Sequence, residues 1–422
     1  MAGFVPLALL AVLAATLYGP VYQQLTILGV FRRPAPLVIV EGQGYHRIAD
    51  TMQCEDLHYW QPTNKIFTAC EDSVLPRFKW FPPLGNLEEP AVPSTGSIHV
   101  IDPKTMKSTR LSFENFSGPF VTHGIDIIED PENPNAVYIF AVNHLPNPEF
   151  TQDGKRVPQA RSQVELFHHV LESSTIEHVR SVQHPLIATP NDIYAETPNS
   201  FYVTNDHYYR EGYGRLIEDV IPAAKWSSII HVQIQDLKSK DADKGIDATV
   251  ALTGLHNNNG LGHGRSKDEM LIVSCMGGTL YRARSNSGNR TISIFDEIRP
   301  GGQIDNPTYY SDPYRTAADD ASGYVLAGLT RPIDLSKNHN DPNAKDGAIV
   351  WYVRPKTGTS GNGEQSTEWE SSVLFEDDGT LIRTASTGLL VPSETKPGNR
   401  KKAWLFVTGF VSESVIAVEV GL

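Results

Sequence analysis

The residues of this sequence best suited to chemistry are pairs of acidic and amide side chains spread between positions 55 and 306. Each pair lies beside a short strand-like run. Carboxylate and amide oxygens are the ligands of Ca²⁺, which takes roughly six to eight of them. Because no EF-hand-type loop is present, the sequence predicts a calcium site assembled by the whole fold. The pairs are Glu55-Asp56, Asn191-Asp192, Asn259-Gly260 and Asp305-Asn306.

Composition narrows the class of partner. The chain has 422 residues, of which 40% are hydrophobic and 9% aromatic, and this is enough for a large core. Its formal net charge of -13 argues against nucleic acid or an anionic membrane surface as the main partner, because both attract clustered Lys and Arg. A cation or a neutral small molecule fits this charge better.

Many short strand-like runs must position the acidic and amide pairs. Residues 137–142, 201–204 and 404–407 have strand composition, and 33 Gly and 29 Pro separate such runs along the chain. Helical periodicity is rare. Residues 214–225 are the best internal helix candidate, although Pro222 limits them. Repeated sheets without intervening helices favour a sandwich, a barrel or a propeller, and the length favours a propeller of four-stranded blades.

The N-terminal segment differs from the remainder. Residues 2–31 carry no charge, and residues 4–17 are rich in Leu, Ala and Val. This pattern predicts a signal peptide or a retained signal anchor over residues 1–33, followed by a single propeller domain over 34–422. It implies the secretory pathway, with the protein secreted or bound to a membrane through this segment. The sequons at Asn115 and Asn289 agree with that route. Arg32-Arg33 favours the opposite membrane orientation, which stays open.

The chain has three cysteines, Cys54, Cys70 and Cys275. A turn signal at residues 61–64 separates two strand-like runs that begin and end near the first two cysteines. A hairpin centred near Pro62 would place Cys54 opposite Cys70 and predicts a disulfide between them. Three unpaired buried thiols are the alternative.

Several segments resemble the serum paraoxonase/arylesterase family in order and spacing, from about Gly42 to the C-terminus. The most specific are the Asn-Asp-Ile and Thr-Asn-Asp-His-Tyr segments. Family members also begin with an apolar segment that can be retained. The matching segments are EDL (55–57), THGI (122–125), VNH (142–144), PNDI (190–193) and TNDHY (204–208).

The resemblance implies an all-β fold, a six-bladed β-propeller with an N-terminal hydrophobic helix and two calcium ions in its central tunnel. The catalytic ion would be held by Glu55, Asn191, Asn259, Asp305 and Asn306. The structural ion, deeper in the tunnel, would be held by Asp56, Asp192 and the backbone carbonyl of Ile125. Adjacent residues of a strand point in opposite directions, so each doublet can serve both ions.

The resemblance also implies a pair of catalytic histidines, His123 and His144. We expect His123, with a pKa suited to neutral pH, to take a proton from water while His144 orients it or passes the proton onward. The expected function is calcium-dependent hydrolysis of small-molecule lactones and aryl esters, with phosphotriesters as a side activity. Residues 205–207 are expected to support the site. Residues 214–225 fall where the family has a helix over the site, which makes them a candidate lid or membrane-contacting element.

Two other functions remain open. One is a related propeller enzyme of the gluconolactonase or strictosidine-synthase type, and the other is a non-catalytic propeller that calcium stabilises for binding. The chain also departs from the family, because its last residues contain no cysteine that could close the ring of blades by a disulfide. Closure is therefore expected to rest on strand pairing. The sequence leaves open the physiological substrate and the oligomeric state.

Overall fold

The computed structural model describes residues 4–39, 42, 44–88, 94–150, 157–356, 368–394 and 400–422, with side chains from residue 15 onward. The first residues of the predicted N-terminal segment, 1–3, lie outside this range. Strands formed from Val, Ile, Phe and Tyr runs dominate the described chain, as their β propensity predicts.

The strands of the first half are β1 (Val38–Ile39), β2 (His46–Arg47), β3 (Leu57–Trp60), β4 (Lys65–Glu71), β5 (Trp80–Phe81), β6 (Asn86–Leu87), β7 (Gly96–Asp102), β8 (Lys107–Arg110), β9 (Ser112–Glu114), β10 (Thr122–Asp130), β11 (Asn133–Asn143), β12 (Gln163–Val170), β13 (Thr175–Val182), β14 (Pro190–Thr197) and β15 (Ser200–Asn205). Those of the second half are β16 (Ser227–Ile234), β17 (Ile246–Leu255), β18 (Asn258–His263), β19 (Met270–Ser274), β20 (Thr279–Ser285), β21 (Ile292–Ile298), β22 (Pro307–Tyr310), β23 (Gly323–Leu329), β24 (Ala348–Pro355), β25 (Trp369–Asp377), β26 (Ala385–Pro392), β27 (Lys402–Gly409) and β28 (Ile416–Gly421).

These strands form a six-bladed β-propeller, which confirms the predicted fold class. The blades are built on β3-β4-β7-β8, β10-β11-β12-β13, β14-β15-β16-β17, β18-β19-β20-β21, β22-β23-β24-β25 and β26-β27-β28. The inner strands β3, β10, β14, β18, β22 and β26 contact one another in a closed ring. Their starting ends therefore meet at one mouth of the central tunnel, here called the upper mouth.

One apolar layer fills the space between each pair of neighbouring blades. The layer between the second and third blades, for example, joins Phe140 and Val142 to Phe201 and Val203. Because a blade has a neighbour on both faces, its middle strands are buried on both sides. All seven residues of β23 are buried. Such strands read as continuous apolar runs, which is why the sequence revealed them clearly.

Strand pairing closes the ring, as expected from the missing C-terminal cysteine. β2 pairs antiparallel with the last strand β28, with His46 opposite Ala417. β1 adds to the outer edge of the fifth blade, where Val38 pairs with Glu376. The predicted disulfide between Cys54 and Cys70 is also present, and it joins the start of the first blade to β4.

Four helices are described: α1 (Phe4–Ile27), α2 (Val74–Lys79), α3 (Tyr213–Val220) and α4 (Pro332–Asn338). The α3 helix confirms the candidate at 214–225 only in part. It ends at Val220 because Ile221, which precedes Pro222, is extended. The end of α1 packs on the propeller, where Gln24 donates a hydrogen bond to the carbonyl of Met276. Within the described part of the chain, no helix combines the length and apolarity needed to cross a membrane.

Candidate active site

The sequence-predicted site residues cluster near the upper mouth of the tunnel, where the inner strands begin. His123, Asn191 and Asn259 are each the second residue of an inner strand, β10, β14 and β18. The Asp305-Asn306 pair directly precedes β22, and Glu55-Asp56 directly precedes β3. Because the inner strands form a ring, residues far apart in sequence converge at the upper mouth.

A cavity of about 540 Å³ opens at this level and is here called the upper cavity. Its floor includes His123, Asn191, Asn259 and Asp305. Its walls come from the residue after α1, from the segment after β5, from α3 and from α4. The wall residues are Leu28, Phe81, Leu84, Leu216, Val220, Met276, Leu329, Ile333, Leu335 and Phe410. The cavity thus joins a polar floor to apolar walls, as small-molecule sites do.

Four buried oxygen atoms of the proposed catalytic-ion set have no hydrogen-bond partner among the described residues. They belong to Glu55 (Oε2), Asn191, Asn259 and Asn306 (Oδ1). The Asn306 amide nitrogen donates to Glu55 Oε1 at 2.7 Å, so the carbonyl oxygen of Asn306 stays unpaired. Unpaired buried polar atoms are costly, and a cation bound between them would supply the missing partner. The residues present therefore fit a hard cation with oxygen ligands.

The acidic residues of the site also lie close enough to repel one another. Burial and the neighbouring Asp56 raise the pKa of Glu55 well above its usual range. Burial and Asp56 raise the pKa of Asp305 to about 8. The same two causes raise the pKa of Asp192. A cluster that disfavours its own negative charge in this way is stabilised by a bound cation.

The deeper set is more fully hydrogen-bonded. Asp192 accepts the backbone N–H groups of Ile193 and Leu261, each at 2.7 Å. Asp56 accepts the N–H of Leu57 at 2.8 Å and that of Ile125 at 3.3 Å. Carboxylate oxygens have two lone pairs, so these bonds leave capacity for an ion. The fit to a second ion thus rests on the proximity of Asp56 to Asp192, which the raised pKa of Asp192 reflects.

Two glycines permit this close approach of neighbouring strands. A Cβ at Gly260 would lie 2.6 Å from the amide oxygen of Asn306. A Cβ at Gly124 would overlap the carboxylate of Asp192. The glycines that follow His123 and Asn259 in sequence therefore leave room for the oxygens of the next blades.

His123 and His144 form the expected pair. His144 Nε2 lies 3.0 Å from His123 Nδ1, and His144 Nδ1 lies 2.8 Å from Ser162 Oγ. His123 faces the upper cavity, whereas His144 lies behind it. Phe81 packs edge-on against both rings, at 5.2 and 5.8 Å between centroids. Only His123 is thus placed to act on a ligand in the upper cavity.

The expectation of a near-neutral pKa for His123 is wrong. Burial and the positive charge of Arg77 lower the pKa of His123 to about 3. Burial and His123 itself lower the pKa of His144 well below its usual range. Both rings are therefore uncharged at neutral pH, which is the form that accepts a proton. Sequence reasoning missed this shift because nothing local placed Arg77 beside His123.

Residues 205–207 lie at or beside the upper cavity. Asp206 and His207 line it directly, and His207 connects Asp206 (3.0 Å) to Asp219 of α3 (2.7 Å). Asn205 lies outside its lining and accepts the N–H groups of Ala188 and Thr189. The Asp206–His207–Asp219 contacts fasten α3 over the cavity.

A buried network beneath His123 was missed from the sequence. Arg77 of α2 is fully buried and pairs with Glu71 at 2.9 Å. It also donates to the carbonyl of Thr122 at 2.7 Å and to that of Phe410 at 2.9 Å. The dense aromatic segment 78–81 was the one signal that this region is packed rather than a loop. The network fixes the start of β10 and hence the position of His123.

A second, larger cavity of about 870 Å³ opens where the inner strands end and is here called the lower cavity. It is lined by His58, Asp126, Tyr194, His263 and the Pro307–Tyr310 strand. Within the described residues, no three His, Cys, Asp or Glu side chains are grouped so as to hold a metal by themselves. The candidate ion site accordingly depends on amide oxygens as well as carboxylates.

Part of this chain is similar to known proteins. Residues 81–256 match the family model described as Arylesterase. Serum paraoxonase/arylesterase 2 of Gallus gallus is 31% identical over 121 residues, which are 29% of this chain and 30% of the relative. Serum paraoxonase/arylesterase 2 of Rattus norvegicus is 29% identical over 182 residues, which are 41% of this chain and 47% of the relative.

The matches thus span less than half the length of these curated relatives. Among solved structures, a luciferin-regenerating enzyme aligns with a TM-score of 0.43 and 12% identity, covering 92% of this chain and 96% of that one. That likeness is too low to bear on function. This six-bladed propeller is thus similar over part of its length to arylesterases and to serum paraoxonase/arylesterase relatives.

Proposed function

We propose that this chain is a calcium-dependent hydrolase of lactones and aryl esters. The observation that supports the proposal best is the single cavity in which His123 lies beside the unpaired amide oxygens of Asn191 and Asn259. The arylesterase match covers His123, His144 and Asn191. A base, a cation site and an apolar wall in one cavity are the parts that ester hydrolysis needs.

The residues that would hold the ions divide by depth. An ion at the upper set would polarise the carbonyl oxygen of a substrate and so favour attack on its carbon. An ion at the deeper set would hold the inner strands together. The upper set is Glu55, Asn191, Asn259, Asp305 and Asn306, and the deeper set is Asp56, Asp192 and the carbonyl of Ile125.

The protein's own residues would move the proton. The uncharged His123 ring takes a proton from water as the water oxygen bonds to the carbonyl carbon. His144, 3.0 Å behind it and itself fixed by Ser162, orients the ring. When the ester C–O bond breaks, the protonated ring returns the proton to the departing oxygen. An ester then leaves as an acid and an alcohol or phenol, a lactone leaves as a single hydroxy acid, and His123 is neutral again.

The cavity walls favour an uncharged and largely apolar substrate. Phe81, Leu329 and Phe410 face a floor that carries the polar groups. A lactone ring or an aryl ester places one carbonyl at such a floor while its hydrocarbon contacts the walls. The same arrangement would admit a phosphotriester as a side activity, because its phosphoryl group is also uncharged and polarised.

A substrate panel tests the proposal. Purified protein would be assayed with γ- and δ-lactones, phenyl acetate and a phosphotriester, with calcium and after chelation. We expect turnover of at least one lactone or aryl ester that chelation removes and added calcium restores. A folded, calcium-loaded protein that turns over none of them contradicts the proposal and favours a non-catalytic propeller.

We also propose a secretory location. Asn115 and Asn289 both lie on exposed turns, where oligosaccharides can be attached. The α3 helix and Ile221 directly after it expose a row of apolar side chains that suits contact with a lipid surface in addition to the N-terminal segment. Protein made in a secretory host should lose mass with a glycosidase, and absence of glycan at both sequons would contradict this route. The exposed side chains are Tyr213, Leu216, Ile217, Val220 and Ile221.

A further inference from the structure

A chain of polar side chains leads from the lower cavity to the deeper acidic set. His263 Nε2 lies 2.8 Å from Asp126 Oδ2, and Asp126 Oδ1 lies 3.3 Å from His58 Nδ1. His58 Nε2 in turn lies 2.8 Å from Asp56 Oδ2. Side-chain exposure falls from 41% at His263 to 18% at His58 and 3% at Asp56. One end of the chain is therefore in solvent, and the other is at the deeper set.

These side chains connect the inner strands of four blades. His58 belongs to β3, Asp126 to β10 and His263 to β18. Asp126 Oδ2 also accepts the N–H of Ala195 in β14, at 2.7 Å. The connection lies between Asp56 and the lower cavity, and both His58 and Asp126 line that cavity. It therefore forms the floor of the tunnel beneath the deeper set.

The tunnel floor formed by His58, Asp126 and His263 is held in place because its polar atoms are hydrogen-bonded. Asp126 is 1% exposed and is held by the N–H groups of Ile127 and Ala195. The ring of His58 has a carboxylate at each nitrogen, so it cannot rotate without losing both contacts. Of the groups that hold Asp56 Oδ2, one is the backbone N–H of Ile125 and the other is His58. His58 is thus the side chain that separates Asp56 from the lower cavity.

We propose that His58, fixed by Asp126 and His263, is a positioning residue that orients Asp56 and closes the lower end of the tunnel against loss of a divalent cation. The inference rests on the proposed function, since it requires an ion between Asp56 and Asp192. Loss of His58 removes one hydrogen bond to a ligand carboxylate and opens a path to the lower cavity. Both changes act on the rate at which the deeper ion leaves.

The experiment measures calcium release from the calcium-loaded full chain after rapid mixing with a fluorescent chelator. A wild-type protein with two ions should release them in two phases, and Asp305→Asn identifies the phase of the upper ion. His58→Ala should accelerate the other phase at least tenfold, about the change expected from one lost hydrogen bond to a charged group. Asp126→Asn, which keeps the side-chain size, should accelerate the same phase less.

His168→Ala is the matched control. His168 pairs with Asp130 of the same strand β10 at 2.9 Å and is 22% exposed, close to His58, but it does not contact the ion set. Its release rates should equal those of the wild type. Equal acceleration in His58→Ala and His168→Ala, or a rate for the deeper-ion phase within twofold of wild type in His58→Ala, overturns the inference. If His58→Ala does not fold, an unchanged rate for the deeper-ion phase in Asp126→Asn overturns it instead.

The wild-type measurement distinguishes a failure of the two-ion proposal from a failure of the role given to His58. Only one bound ion would contradict both the two-ion set and the role of His58. Two ions with an unchanged release rate in His58→Ala would contradict the role of His58 alone. The hydrolase proposal is tested independently of both outcomes by the substrate panel.

Discussion

At the upper mouth of the tunnel His123 is hydrogen-bonded to another histidine, whereas at the lower end His58 lies between two carboxylates. Burial and Arg77 lower the pKa of His123 to about 3. Burial also opposes charge on His58, but Asp56 and Asp126 raise its pKa to about 9. Partners rather than depth of burial thus decide whether a tunnel histidine is neutral. A neutral ring such as His123 can accept a proton, whereas the His58 ring, with a carboxylate at each nitrogen, is held in one orientation.

Removing the bound ions is expected to have the largest effect, because the carboxylate and amide oxygens of the upper and deeper sets would lose the cation between them. A chelator should abolish turnover and lower the free energy of unfolding by roughly 4 kcal/mol relative to protein in calcium at a thousand times its Kd. Calorimetry and ester assays on the same sample measure both. Full activity in protein that atomic absorption shows to be calcium-free would contradict the proposal that turnover requires a bound ion.

Replacing the upper histidine should come next in size. His123→Gln removes the proton acceptor, so kcat should fall by about 10²- to 10⁴-fold while calcium content stays unchanged. His144→Gln should cost less, because His144 does not line the upper cavity. The check is steady-state kinetics together with metal analysis. Wild-type kcat in His123→Gln would exclude His123 from the reaction.

The buried ion pair of Arg77 and Glu71 beneath His123 is tested by its effect on the free energy of unfolding. Arg77→Met leaves Glu71 charged and unpaired, which should destabilise the protein by roughly 3–5 kcal/mol. The double variant Arg77→Met with Glu71→Leu should recover much of that loss, since no lone charge remains. Urea unfolding measures both. A double variant no more stable than the single one would show that packing, and not the unpaired charge, dominates.

The smallest effect tests whether burial alone neutralises a histidine. Burial lowers the pKa of His99 in β7 to about 4, away from the tunnel. Between about pH 6.5 and pH 4 the unfolded chain binds more protons at this group, so its contribution to stability falls as pH falls. The loss should reach about 2 kcal/mol at pH 5. His99→Gln should flatten this part of the pH profile of urea unfolding, whereas His46→Gln on the exposed β2 should not.

Much of the fold was predictable because both faces of a blade are covered. Middle strands such as β11 and β23 contain continuous apolar runs, residues 136–142 in β11 and the whole of β23, and glycine and proline separate such runs along the chain. The start of α3 was predicted to within one residue, but its predicted end at residue 225 was wrong, because the helix ends at Val220 where Ile221, the residue before Pro222, is extended. The disulfide was predictable because a short hairpin fixes the separation of Cys54 and Cys70.

The residue types of the site can be read from local sequence patterns, namely the Glu55-Asp56 and Asn191-Asp192 doublets, His123 with Gly124, and His144. The folded chain was needed to show which oxygens stay unpaired, that burial and Arg77 keep His123 neutral, and that His58, Asp126 and His263 meet under Asp56. The physical reason is that hydrogen-bond pairing and electrostatic fields depend on distance in space. In this propeller, those distances are set by the closed ring of blades, in which β2 pairs with the last strand β28.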